Sequence, residues 1–299
     1  HPPPRWALGY LGSTMHYTEQ PDAQALLAQF ASRCAGHGIP CSAFHLSSGY
    51  TADAEGRRCV FSWNAERVPD PEGMFDTFHA AGIRAIPNIK PWMLTCHPEY
   101  EALAARGGFL KRADGGAGAG ARPLVGRFWS GGAGVSGDGS YVDFASEAGY
   151  AWWVSRLRAS LVDRGADGAW NDNNEYEVDD DWAVCGDRTD AERNTHRIGV
   201  RGRALQSPLM ARASRDALLA SRPHERPFVI SRSGCAGIQR YAQQTWTGDN
   251  YTGWAALRYN IPMGLSLSMC GWAGVGHDVG GFAGPKPGPA GRPQTSSNG

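Results

Sequence analysis

The chain has 299 residues, of which 41% are hydrophobic and 11 are tryptophan; this describes a globular protein with a sizeable core and excludes a disordered or fibrous one. A formal net charge of +0 supplies no basic surface for nucleic acid or for an acidic membrane. No stretch reaches the ~18 uninterrupted apolar residues of a membrane span.

Strand-like and helix-like segments alternate from the start. Residues 6–12 read as a first strand, and 22–35 as a helix in which Leu26, Phe30 and Cys34 recur every four residues before the stop signals Gly36 and Gly38. Residues 40–46 make a second strand. Asp70 and Pro71 form a cap and first-turn pair for a helix carrying Met74, Phe75 and Phe78, which ends at Gly82 before a third strand over 83–89. A long excursion follows, with the run DGGAGAGA at 114–121 reading as a flexible loop. After YVDF (141–144), a helix with Trp153, Leu157 and Leu161 on one face leads to a fourth strand, 166–171. PFVIS (227–231), QTWTG (244–248) and AGVGH (273–277) read as strands five, six and seven.

Repeated βα units imply a parallel sheet, and this many favour a (β/α)8 TIM-type barrel of about 250 residues over an open sheet. Seven strands are present where closure needs eight. The barrel is expected over 1–284, incomplete by its last βα unit, with 285–299 as a Pro/Gly/Ser-rich tail. Open edges at the first and seventh strands would leave the isolated chain of low stability and weakly active or inactive.

Seven cysteines, at 34, 41, 59, 96, 185, 235 and 270, include no CxxC pair and no zinc spacing, which points to a reducing, cytoplasmic setting. Because the chain opens HPPPRW without Met, an upstream leader would instead make it secreted or periplasmic.

Catalytic groups of βα barrels gather at the carboxyl ends of strands. Here the strands are followed by HLSSGY, NIKPW, WNDNNE, SRS, WTGDN and GHDVGG. Asp172 and Asp249, on different strands, suit glycosidic cleavage, in which one carboxylate attacks the anomeric carbon and a second carboxyl protonates the leaving oxygen. Trp129, Trp170 and Trp246 would offer apolar faces to a sugar ring. From residue types alone, Asp172 and Glu175 remain alternatives for the reacting group.

WNDNNE (170–175), SRSGCAGIQRYAQQTWTGDN (231–250) and GHDVGGF (276–282), in that order, resemble family 31 of the glycoside hydrolases, the α-glucosidase and α-xylosidase family. The resemblance implies Asp172 as nucleophile, Asp249 as general acid/base and Arg232 as a substrate-binding residue. It further implies Trp129 and Trp246 as pocket tryptophans, Asp278 as the acid of the last motif and Phe282 as its aromatic. It implies a carbohydrate substrate, an α-glycoside, cleaved by double displacement with retention, without cofactor or metal. It also implies an eighth strand and a further substrate-contacting His past the last motif, and flanking β-sandwich domains, which are expected in the remainder of a parent protein. Transfer or elimination through the same nucleophile, or a non-catalytic carbohydrate-binding remnant, are the alternatives.

The departures concern specificity. Where family α-glucosidases carry an Asp after the second strand, Ser47 and Ser48 stand here, and Asn173 follows the nucleophile in place of Met or Phe. Lys90 adds a cation in NIKP; it either reshapes the sugar subsite together with Ser47 and Ser48 or pairs with a nearby carboxylate. Asp179, Asp180 and Asp181 read as a solvated acidic loop, and Trp152 and Trp153 as core.

Overall fold

The computed structural model describes residues 2–113, 122–130, 136–186 and 197–284. The Gly/Ala run and the tail lie outside the described residues. In chain order the elements are β1 (Tyr10–Thr14), α1 (His16–Glu19), α2 (Ala23–Gly36), β2 (Cys41–Leu46), α3 (Pro71–Ala80) and β3 (Arg84–Ile89). Next come β4 (Trp92–Leu94), α4 (Tyr100–Ala105), β5 (Gly126–Trp129), β6 (Ser136–Tyr141), α5 (Glu147–Ser160) and β7 (Ala169–Asn171). The chain continues through α6 (Arg203–Ser221), β8 (Val229–Ser231), β9 (Gln244–Trp246), α7 (Trp254–Met269) and β10 (Gly274–Gly276).

Seven strands form one parallel sheet in the order β1-β2-β3-β7-β8-β9-β10. Each lies beside its successor, as in a βα barrel, and β1 and β10 remain edges, so the barrel is open as expected. No helix among the described residues is long and apolar enough to cross a membrane.

Several boundaries differ from the sequence expectation. Residues 5–8 form a 3-10 turn, and the first strand starts only at Tyr10. The apolar character of Trp6 serves floor packing, with its ring 4.9 Å from Phe228 in an edge-on contact. In α2 the buried stripe is Ala23, Leu27, Ala31 and Cys34, while Leu26 and Phe30 are only partly covered. Asp70 does cap α3, accepting from Gly73 N at 3.0 Å ahead of Pro71.

Within the excursion after β3, the described residues form an antiparallel sheet, β4-β6-β5, that the sequence expectation did not include. Trp92 stacks on Phe128 at 4.9 Å, and Tyr141 stands edge-on to Phe128 at 4.8 Å. The sequence expectation placed no strand at SGDGSY, its central strand, whose glycines weaken the pattern. At Gly139 the glycine is needed: a Cβ there would lie 2.6 Å from the Met93 carbonyl oxygen. The insert is anchored to α6 through Gln206, which donates to Asp143 Oδ1 at 2.8 Å and accepts from Phe144 N at 2.8 Å.

Helix α5 starts at Ser146, whose hydroxyl accepts from Gly149 N at 3.2 Å. It buries Trp153 completely, and that indole donates to Ser214 Oγ of α6 at 3.1 Å. Trp153→Ala should therefore cost about 3–5 kcal/mol, through lost burial, a cavity and the lost hydrogen bond to Ser214; urea unfolding monitored by circular dichroism checks this.

Candidate active site

Strand parity builds the site. In register, Asn88 pairs with Trp170 and Trp170 with Ile230, whereas Ile89 pairs with Asn171 and Asn171 with Ser231. Paired residues of a parallel sheet share a face. Asn171 faces the helices, since its Oδ1 accepts from Ser214 Oγ at 2.9 Å. Ile230 faces inward, clustered with Ala43, Ile86 and Phe228. Trp170 lies there too, its ring 5.4 Å from His45 and 5.7 Å from Trp246. Two residues further along each strand, the same parity delivers Lys90, Asp172 and Arg232 to the interior at the carboxyl mouth.

Asp172 is 8% exposed, and both its oxygens are satisfied by donors. Oδ2 accepts from Lys90 Nζ at 2.6 Å and from Asn88 Nδ2 at 3.0 Å. Oδ1 accepts from Asn173 N at 2.8 Å and lies 3.2 Å from Arg232 Nη1. Burial pushes this carboxyl upward, but Lys90, Arg232 and the hydrogen bonds from Lys90 and Asn88 outweigh it and hold Asp172 below the ordinary carboxylate range. Asp172 is the anionic group of the site.

Arg232 is oriented by Glu175, which takes two parallel bonds, Nε to Oε1 at 2.6 Å and Nη2 to Oε2 at 3.0 Å. That leaves Nη1 pointing at Asp172 and, 3.8 Å away, at Asp249 Oδ1. The two carboxylate oxygens therefore lie no farther apart than the sum of those contacts, a bound that accommodates the about 5–5.5 Å of a retaining pair. Asp249, with a half-exposed side chain, is pushed upward by burial and by Asp172, against the downward pull of Arg232. Asp278 rises further, to about 6, through burial and the neighbouring charges of Asp249 and Asp172.

The other expected residues fall into two groups. Trp129 sits over the mouth, its ring 5.1 Å from Lys90 Nζ, while Trp170 and Trp246 pack against each other inside the barrel beneath the carboxylates. Ser47 and Ser48 are both buried, and Ser48 Oγ accepts from Arg58 Nε at 3.4 Å. Phe282 is exposed, and its N–H donates to Asn250 O at 2.8 Å, tying the last loop to the loop after β9. Lys90 is a partner of the nucleophile candidate, which favours the ion-pair alternative. Asp181 is not simply solvated, since it pairs with Arg203 at 2.8 Å, and Trp152 and Trp153 are core. Sequence reasoning missed Asn88, Arg58 and the orienting role of Glu175. Strand parity pointed to Asn88, two positions before Lys90, whereas Arg58 comes from a loop with no such signal.

The model of the glycosyl hydrolases family 31 TIM-barrel domain matches residues 1–295. The chain belongs to glycosyl hydrolase family 31. It is 30% identical over 94% of its length to alpha-glucosidase 2 of Bacillus thermoamyloliquefaciens and 31% identical, over the same share, to neutral alpha-glucosidase AB of Sus scrofa. It spans 33% and 28% of those relatives. Among solved structures, a family 31 dextranase of Flavobacterium johnsoniae shares the fold with a TM-score of 0.79 at 22% identity, covering 95% of this chain and 33% of that one. A family 31 α-xylosidase of Xanthomonas citri gives 0.75 at 22% identity, with 95% and 29% covered.

The raised carboxyl of Asp278 in this family 31 barrel carries a sign. A carboxyl moved from 3.8 to about 6 on folding makes the folded state progressively less stable as pH rises across that interval, because ionisation is easier in the unfolded chain. Asp278→Asn should flatten the stability profile between about pH 4 and pH 6, as read from denaturant midpoints at a series of pH values.

Proposed function

We propose that this barrel hydrolyses terminal α-linked sugars by double displacement, with Asp172 as nucleophile and Asp249 as acid/base. The observation that carries this is the single Arg232 nitrogen shared by the two carboxylates, 3.2 Å from one and 3.8 Å from the other. In the first half-reaction Asp172 attacks the anomeric carbon as the bond to the leaving oxygen breaks, and Asp249 gives that oxygen its proton. Negative charge thereby leaves Asp172 and arrives on Asp249. Arg232 touches both, so the cation is matched by an anion before and after the step. In the second half-reaction water attacks the anomeric carbon, Asp249 takes its proton, and Asp172 departs as carboxylate. A raised Asp249 and a depressed Asp172 are the protonation states this sequence requires.

The sugar differs from glucose in this proposal. Two relatives bear the name alpha-glucosidase, yet the wall after β2 presents Ser47 and Ser48, and a buried Arg58 crosses it to pair with Glu19. A site without a carboxylate at that position no longer favours the hydroxyls that a carboxylate would bind. Further polypeptide completes the barrel in this proposal: α7 leaves Trp254, Tyr259, Ile261 and Leu265 exposed, and among the described residues β10 pairs on one side only, with β9.

The test is covalent labelling of the full-length polypeptide carrying this barrel with an α-configured cyclophellitol aziridine, followed by peptide mapping. The label should sit on Asp172, and Asp172→Asn should abolish it. Asp249→Ala should lose about 10²–10⁴-fold on poor leaving groups and far less on an activated aryl α-glycoside. Absence of label together with no turnover across a panel of aryl α-glycosides would refute the proposal.

A further inference from the structure

Lys90 stands apart from Arg232. It contacts only the Asp172 side of the carboxylate pair, at 2.6 Å, and is 6% exposed. Three features hold it there. Its Nζ also donates to Asn173 Oδ1, and it lies 5.1 Å from the ring centre of Trp129 and 5.7 Å from that of Trp92. Asn173 adopts φ 51°, a left-handed conformation that Asn tolerates better than most side-chain-bearing residues, with its amide oxygen on Lys90. This much local structure is spent on placing one cation against one oxygen.

We infer that Lys90 is a positioning residue that speeds the second half-reaction by stabilising Asp172 Oδ2 as the carboxylate leaves the sugar. The inference rests on the proposed function above. Arg232, shared with Asp249, lies on the Oδ1 side, so the sugar approaches Oδ1, and the new bond joins Oδ1 to the anomeric carbon. Oδ2 then becomes the ester carbonyl oxygen, still facing Lys90 and Asn88. While the ester exists, Lys90 has lost its anionic partner in a buried position, which raises the energy of the intermediate. Asn173 and the two indole faces keep the cation in place meanwhile. When water attacks, the Oδ1–carbon bond breaks, its electron pair returns to the carboxyl group and restores the partner of Lys90. The cation thus favours departure of Asp172 more than its attack.

The test is steady-state and rapid-quench kinetics of Lys90→Gln in the full-length polypeptide with an activated aryl α-glycoside. The expected result is a fall in kcat of about 10–10²-fold, a parallel fall in KM, and a stoichiometric burst of aryl alcohol. The acid limb of kcat/KM should move to higher pH as Asp172 loses a neighbouring cation. Methylammonium should restore part of kcat to Lys90→Ala. Asn173→Gly, which keeps the left-handed backbone and removes the oxygen that steadies Lys90, should show the same signature more weakly and serves if the lysine variants do not fold. Equal falls in kcat and kcat/KM, no burst and an unmoved acid limb would overturn the inference while leaving the proposed function standing. A wild-type protein inactive on every α-glycoside would overturn both.

Discussion

A buried carboxylate that must stay ionised is the constraint around which this molecule is arranged. An isolated charge withdrawn from water costs several kcal/mol unless cations and hydrogen bonds replace the lost solvent. Asp172 meets that requirement with Lys90 and Asn88 from the end of β3 and with Arg232 from the end of β8, the strands on either side of β7. Three adjacent parallel strands, read at one parity, bring all four side chains to one point. The strand order of the fold and the charge balance of the site are therefore the same fact seen at two scales.

The alternation of strands and helices was legible in the sequence because period-two and period-four patterns are local. The carboxylates Asp172 and Asp249 were legible because acidic residues after apolar strands need a reason to be there. What was hidden depended on distant partners. Glycine-rich SGDGSY shows no strand pattern of its own, and the stacking of Trp92, Phe128 and Tyr141 makes it a central strand. Trp6 looks like part of a strand until Phe228, far along the chain, gives its ring a neighbour. Arg58 carries no local signal, since its place is set by Glu19, Ser48 and Trp129. The role of Lys90 stayed divided between sugar and ion pair because a sequence does not say which of several carboxylates a flexible ammonium will reach.

The cations around the mouth also divide by mobility. Arg232 is clamped by two parallel bonds to Glu175, so its guanidinium plane is fixed before any ligand arrives. Lys90 is held by a single carboxylate oxygen, an amide oxygen and two ring faces, an arrangement that tolerates loss of the carboxylate charge. In the proposed mechanism, a rigid fork suits a cation that serves two anions in turn, and a point charge cradled by aromatic rings suits one whose partner comes and goes.

The roof over this chemistry belongs to a different sheet. Trp129 lies on β5, which pairs with β6 and not with any strand of the seven-stranded sheet. Changes of length or side chain in that ribbon can alter the ceiling above a bound ring without disturbing the ladders that aim Asp172 and Arg232. In the proposed enzyme, new ring shapes would be accommodated by editing the ribbon while Asp172 and Arg232 stay in register, with Lys90, beside both Trp129 and Asp172, linking the two supports.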